Sequence, residues 1–309
     1  MTAERYLDQV DLLMRVIPEI APEGDFALKG GTAINLFVRD MPRLSVDIDL
    51  TYLPIEPRDV AFANIDAALD RIAKRLQDEL KAKVTPDQQA KKLLVERAGS
   101  KIKLEVNPVI RGCLFQPEQR AVQPAVEQGF GFAEMPIVSF QDLYAGKICA
   151  ALDRQHPRDW YDVKLLLENE GMSRELMQAL LVYIGSGNRP MNEILNCPPK
   201  DIRTTYENHF NGMTRDPVPV EELEQVRERL LDEIARHFTQ QDGEFLLSLK
   251  KADPDWSLLG IEGAKDLAAL QWKLHNIKKM PAASHARETK KLEAVIEQLH
   301  QRRQGLAPS

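Results

Sequence analysis

The sequence predicts an α+β protein of two lobes, an N-terminal mixed sheet with helices followed by a mostly helical C-terminal lobe. Three observations carry that expectation. Residues 45–53 alternate polar and apolar side chains as a half-buried strand does; two β-rich stretches, 92–97 and 101–110, flank Ala98-Gly99-Ser100 as a hairpin; and from Ser139 apolar residues recur at helical spacing almost everywhere. This change of period sets the boundary near residue 138, giving lobes 1–138 and 139–309.

In chain order, Tyr6, Val10, Leu13 and Val16 follow helical spacing over residues 3–18, until Pro18 and Pro22 break it. Residues 26–28 form a short apolar strand that runs into Gly30-Gly31, and 32–38 read as a helix. A long helix over 57–82 separates the 45–53 strand from the hairpin. The second lobe holds helices at 140–153, 158–169, 173–184, 220–240, 263–279 and 284–303, with the Pro-rich, polar stretch 196–219 expected as a surface connection.

The 309 residues, 43% hydrophobic and 28% charged, suit a folded protein with a substantial core. A net charge of -6 offers no global attraction to nucleic acid, so a polyanion must be met by a local basic surface. One such surface is the segment 271–309, with eight Lys or Arg against three Glu, although Leu292, Val295, Ile296 and Leu299 equally mark it as a packing helix with a solvated basic face. Cys113, Cys149 and Cys197 lack CxxC spacing, and the six His residues show no HxH or HxxxH spacing, which argues against a zinc centre and a disulfide framework. With no signal-peptide pattern and no long apolar run, the expected location is cytoplasmic, away from membranes. GxSxG, Walker A and kinase signatures do not occur.

On the 45–53 strand, Val46, Ile48 and Leu50 face one way and Ser45, Asp47, Asp49 and Thr51 the other. Asp47 and Asp49 therefore share a face and can hold divalent cations on hard oxygen ligands. Glu105 lies on the polar face of the second hairpin strand and becomes a third ligand if the two strands are neighbours. Three carboxylates around Mg²⁺ or Mn²⁺ make the clamp needed when a hydroxyl attacks the α-phosphate of a nucleoside triphosphate. Gly30 and Gly31 let the backbone approach a phosphate, the following helix offers its N-terminal amides, and Thr32 offers a hydroxyl; Lys29, Arg43 and Ser45 stand nearby. Taken singly these features are ordinary: a DxD pair is often a solvated face, GGT is a turn, and Lys101 and Lys103 explain Glu105 as surface charge. Their order, with GGT sixteen residues ahead of the DID strand and an acid on a later strand, is what points to nucleotidyl transfer.

At LKGGTAINLF, RLSVDIDL, KLEV and KICAALDRQHPRDWYDV the chain resembles the DNA polymerase β-like nucleotidyltransferases, and within them the AbiEii/AbiGii toxin family of abortive-infection and toxin–antitoxin systems. The resemblance covers roughly residues 26–170. It implies a nucleotidyltransferase-fold catalytic lobe and an enzyme that takes an NTP with Mg²⁺ and modifies RNA, in studied relatives the 3′ end of tRNA, under restraint by a cognate antitoxin in phage defence. The superfamily turn is Gly-Ser, whereas Thr32 follows Gly31 here.

Lys147 falls on the apolar stripe of Phe140, Leu143, Tyr144, Ile148, Ala151 and Leu152. Snorkelling is one explanation; the resemblance implies that Lys147 binds the triphosphate. Asp159 stands in the first turn of the next helix, and Arg158 and Asp162 are spaced for a surface ion pair. The resemblance implies instead that Asp159 belongs to the active site, with Arg158 at the nucleotide and Asp162 alongside. Two other readings remain: the same fold modifying a protein by nucleotidylylation or phosphorylation, and a non-catalytic nucleotide-binding module.

Overall fold

The computed structural model describes residues 3–306, with side chains from Tyr6 onward, and separates into two compact units. Of the described residues, the first comprises 3–143 with 211–217, the second 144–210 with 218–306.

The first unit opens with α1 (Ala3–Ile20), which runs through Pro18 because a proline in the last turn forfeits only one helical hydrogen bond. Strand β1 (Phe26–Lys29) leads into a helical turn α2 (Gly30–Thr32) that continues as a π-helix over Ala33–Val38. Strand β2 (Asp47–Tyr52), helix α3 (Arg58–Asp78), and strands β3 (Lys83–Asp87), β4 (Lys92–Arg97) and β5 (Ser100–Val106) follow. Then come β6 (Glu118–Ala121), α4 (Pro124–Phe130) and β7 (Glu134–Ile137).

The seven strands form one mixed sheet in the order β3-β4-β5-β2-β1-β7-β6, parallel at β2–β5 and β1–β7. Ile48, Leu50, Leu93, Val95, Ile102, Leu104 and Val106 are buried on one face, and α1 and α3 pack against these strands. The β4–β5 turn is tight because Ala98 and Gly99 both take positive φ (49° and 85°), the twist that suits a two-residue hairpin. β5 stops at Val106 and not at residue 110, since Asn107 Oδ1 accepts from the amides of Val109 and Ile110 and Pro108 has no N–H for a ladder.

The second unit carries most of α5 (Phe140–Arg154), then α6 (Pro157–Asn169), α7 (Arg174–Ser186), α8 (Met191–Asn196), α9 (Arg203–His209), α10 (Val220–His237), α11 (Gln240–Lys250), α12 (Ala268–Lys278) and α13 (Ala282–Gly305). The single helix expected over 220–240 ends at His237, because Thr239 starts α11 with a capping box: its hydroxyl accepts from the Asp242 amide and Asp242 Oδ2 accepts from the Thr239 amide. The stretch 196–219 runs mostly along the surface, as expected, but it holds α9 and is anchored at a few points. Ile202, Phe210, Met213 and Val218 are buried, and the Leu44 amide donates to Met213 O at 2.9 Å within the first unit. Among the described residues no helix is long and apolar enough to cross a membrane.

Candidate active site

Strand register sets the polar face of the first unit. Lys29 of β1 pairs with Asp49 of β2, Asp49 with Glu105 of β5, and Glu105 with Lys92 of β4, so these four side chains form one row across the sheet. Asp47 pairs with Lys103 in the adjacent row. Asp47 and Asp49 are both partly exposed while Ile48 between them is fully buried, the alternation expected of this strand.

The glycine turn is built against that row. Gly30 has φ +75°, and a Cβ there would stand 2.5 Å from Asp49 Oδ2. A Cβ on Gly31 would stand 2.8 Å from both Arg43 Nη2 and Ser45 Oγ. Gly30 therefore excludes a side chain through backbone conformation and crowding together, while a side chain at Gly31 would have to displace the ends of Arg43 and Ser45. The Thr32 hydroxyl, expected at a phosphate, is fully buried and donates to Asp47 O at 2.5 Å, with Ser45 Oγ at 3.2 Å. It latches the start of the helix to the start of β2. Arg43 is also buried and donates from Nη1 to Leu44 O at 2.9 Å.

The third carboxylate stands apart from the expected clamp. Glu105 Oε2 receives Lys103 Nζ at 2.9 Å, and among the described residues no three His, Cys, Asp or Glu side chains are grouped to hold a metal ion. Desolvation alone would lower the Lys103 pKa, but the Glu105 hydrogen bond and the charges of Asp47 and Asp49 hold its ammonium above the ordinary lysine range. Lys103 is thus one cation facing the carboxylates. Desolvation pulls Lys29 the other way, below that range, against the attraction of Asp49, Cys113 and Glu105. Two aspartates at i and i+2 beside a side-chain-free turn are hard oxygen donors that fit a divalent cation.

In the second unit, Lys147 Nζ lies 2.8 Å from Asp159 Oδ1 and 3.0 Å from Asp162 Oδ2, with Lys147 7% exposed and both aspartates fully buried. Arg154 adds 2.6 Å and 3.0 Å hydrogen bonds to Asp159. Burial would raise the Asp159 pKa, but Lys147 and Arg154 outweigh it and hold the carboxyl well below the usual carboxylate range. Asp162 is fully buried and receives Lys147 in the interior, while Arg158 Nε donates to His209 O at 3.3 Å. Arg154 was the participant the sequence did not single out, whereas Lys103 pairs with Glu105 as the local charge pattern allowed. Arg154 stands seven residues after Lys147, the spacing that puts both on one helix face.

A family model for the nucleotidyl transferase AbiEii toxin of type IV toxin–antitoxin systems matches residues 11–276. No curated protein sequence matches significantly. Among solved structures, the fold is similar to MenT4, a nucleotidyltransferase toxin from Mycobacterium tuberculosis H37Rv, with a TM-score of 0.59 and 13% identity over 88% of this chain and 93% of that one.

Proposed function

This chain belongs to the AbiEii nucleotidyltransferase toxin family, and on that premise we propose that it transfers a nucleotide from an NTP to the 3′ end of tRNA, with Mg²⁺ or Mn²⁺ held by Asp47 and Asp49. The observation that carries this reading is the row of Lys29, Asp49 and Glu105 beside a turn that admits no side chain at Gly30.

When bound, the divalent cations neutralise charge developing at the α-phosphate and lower the pKa of the attacking hydroxyl. The residues do the rest. The open backbone of Gly30 and Gly31 lets a phosphate approach more closely than side chains there would, and the first amides of the helix offer it donors. Lys29 adds a cation in register with Asp49, so the nucleotide phosphates and the metal-binding carboxylates meet at one place. Thr32 and Ser45 act as positioning residues, fixing β2 against the turn. Glu105 joins the aspartates by a side-chain rotation that breaks its pair with Lys103, leaving that ammonium to face phosphate. Lys147, Asp159 and Asp162, joined by Arg154 in one charge network of the second unit, and Arg158 on the same helix as the aspartates, are assigned to nucleotide handling. In this setting a cognate antitoxin restrains the enzyme.

The test is incubation with each labelled NTP, Mg²⁺ and total tRNA, alongside tRNA whose 3′-terminal ribose has been oxidised by periodate. Label is expected on intact tRNA and absent from oxidised tRNA. Equal labelling of both would reject the 3′ end as acceptor, and label in protein instead of RNA would reject the RNA acceptor.

A further inference from the structure

The second unit contains a cavity of about 220 Å³ lined by residues that the transfer reaction leaves unused, among them Ser186, Asn188, Lys250, Trp272, Lys273 and Asn276. Lys250, the last residue of α11, is only 6% exposed, and among the described residues its ammonium makes no hydrogen bond or ion pair. Burial depresses its pKa below the ordinary lysine range, with Glu288 opposing and Lys291 reinforcing the shift. The carboxylate of Glu288, also on the wall, is engaged by Lys291 at 2.8 Å and Arg287 at 3.6 Å. Lys273 spends hydrogen bonds on Gly187 O at 2.6 Å and Arg189 O at 3.4 Å, which fixes the opposing wall and adds a second positive charge.

The Lys250 ammonium opens onto the cavity with its side chain packed around it and only the charge of Glu288, already paired with Lys291, attracting it, so an anion entering the cavity can supply the hydrogen bonds it lacks. The wall also holds an indole. Trp272 is 53% exposed, with its ring stacked on His275 at a centroid distance of 5.6 Å and an interplanar angle of 23°. A flat apolar face beside buried positive charge is the pairing that single nucleotides use, stacking plus a phosphate contact. The volume corresponds to roughly seven water molecules at about 30 Å³ each, enough for one such group and too little for a duplex.

We propose that this cavity binds one unpaired nucleotide, its phosphate on Lys250 and its base against Trp272. The site is argued from the second unit alone and does not rest on the transfer reaction. The nucleotide is either free or the end of an RNA strand.

Fluorine NMR of the full chain carrying fluorotryptophan tests this without divalent cation. The Trp272 line is assigned with Trp272→Phe among the three tryptophans of the chain. Titration with CMP is expected to move that line, cytidine to leave it unmoved, and inorganic phosphate to compete. Lys250→Met is expected to weaken CMP by about tenfold or more, with thermal melts run alongside to show that the variant is folded. A short single-stranded oligoribonucleotide that moves the line at lower concentration than CMP assigns the site to an RNA end, and the reverse order assigns it to a free nucleotide. A Trp272 line that neither CMP nor RNA moves at millimolar concentration, or equal CMP affinity in wild type and Lys250→Met, overturns the proposal.

Discussion

The carboxylate of Asp49 lies over the α-carbon of Gly30, so close that a Cβ on Gly30 would meet Oδ2 at 2.5 Å. The turn and the acidic strand are therefore one construction, and a substitution in either disturbs the other. Gly30→Ala must bear a positive φ, costing about 1–2 kcal/mol, and must also push Asp49 aside. A loss of transfer activity of roughly 10²-fold is expected, as for a misplaced reacting group. Gly31→Ala, whose clashes are with the side-chain ends of Arg43 and Ser45, is expected to lose less. Transfer rates compared with thermal melts separate the two effects.

Lys103 stands as the counter-cation of Glu105 and attracts Asp47 and Asp49. Replacing it with methionine removes a charge that competes with a divalent ion. Mn²⁺ affinity, read by electron paramagnetic resonance, is expected to rise by about tenfold, the effect of roughly 1.4 kcal/mol. Unchanged affinity would show that Lys103 and the ion do not share a site.

The Lys147–Asp159 pair is buried at both ends. Lys147→Met leaves buried carboxylate charge without its ammonium and is expected to destabilise the second unit by about 3–5 kcal/mol. Urea unfolding measures it, and a loss below 1 kcal/mol, taken as the order of a surface pair, would contradict the buried-network reading.

His156 caps α6, its Nδ1 accepting from the Arg158 amide at 3.1 Å, which requires an unprotonated nitrogen. Desolvation, reinforced by the charge of Arg158, lowers its pKa from 6.5 to about 4. Because the folded pKa is depressed, the unfolded chain binds the proton first as pH falls. This contribution is therefore complete above about pH 6.5 and is lost as pH drops through about 4. For a partly exposed ring it amounts to roughly 1–2 kcal/mol. Melts of wild type and His156→Asn between these limits should converge at the acid end.

The sequence carried what short-range periodicity can carry. Alternation over 45–53 placed Asp47 and Asp49 on one face, and the loss of an alternating pattern after Ser139 marked the helical part. Register between distant strands has no local signature, so the Lys29–Asp49–Glu105 row emerged only from the sheet, whereas Lys103 beside Glu105, two residues apart on one strand, was legible as a local charge pattern. Strands β3 and β6 are short, polar and at the sheet edges, where little apolar alternation is needed, and neither was legible. Thr239-Gln240-Gln241-Asp242 did contain a helix start, concealed by continuous helical spacing on both sides. Thr32 illustrates the limit for side chains: a hydroxyl after two glycines suits a phosphate as well as a strand carbonyl, and only packing chose the carbonyl.

The central claim is that the Asp47–Asp49 face is where the nucleotide is transferred. Asp49→Asn keeps the shape of the side chain over Gly30 while removing its charge. Label transfer from NTP to tRNA by this variant, with unfolding behaviour matched to wild type, measures the claim directly. The expected result is a fall of at least roughly 10³-fold, about 4 kcal/mol in the barrier; a variant that transfers label at the wild-type rate would contradict it.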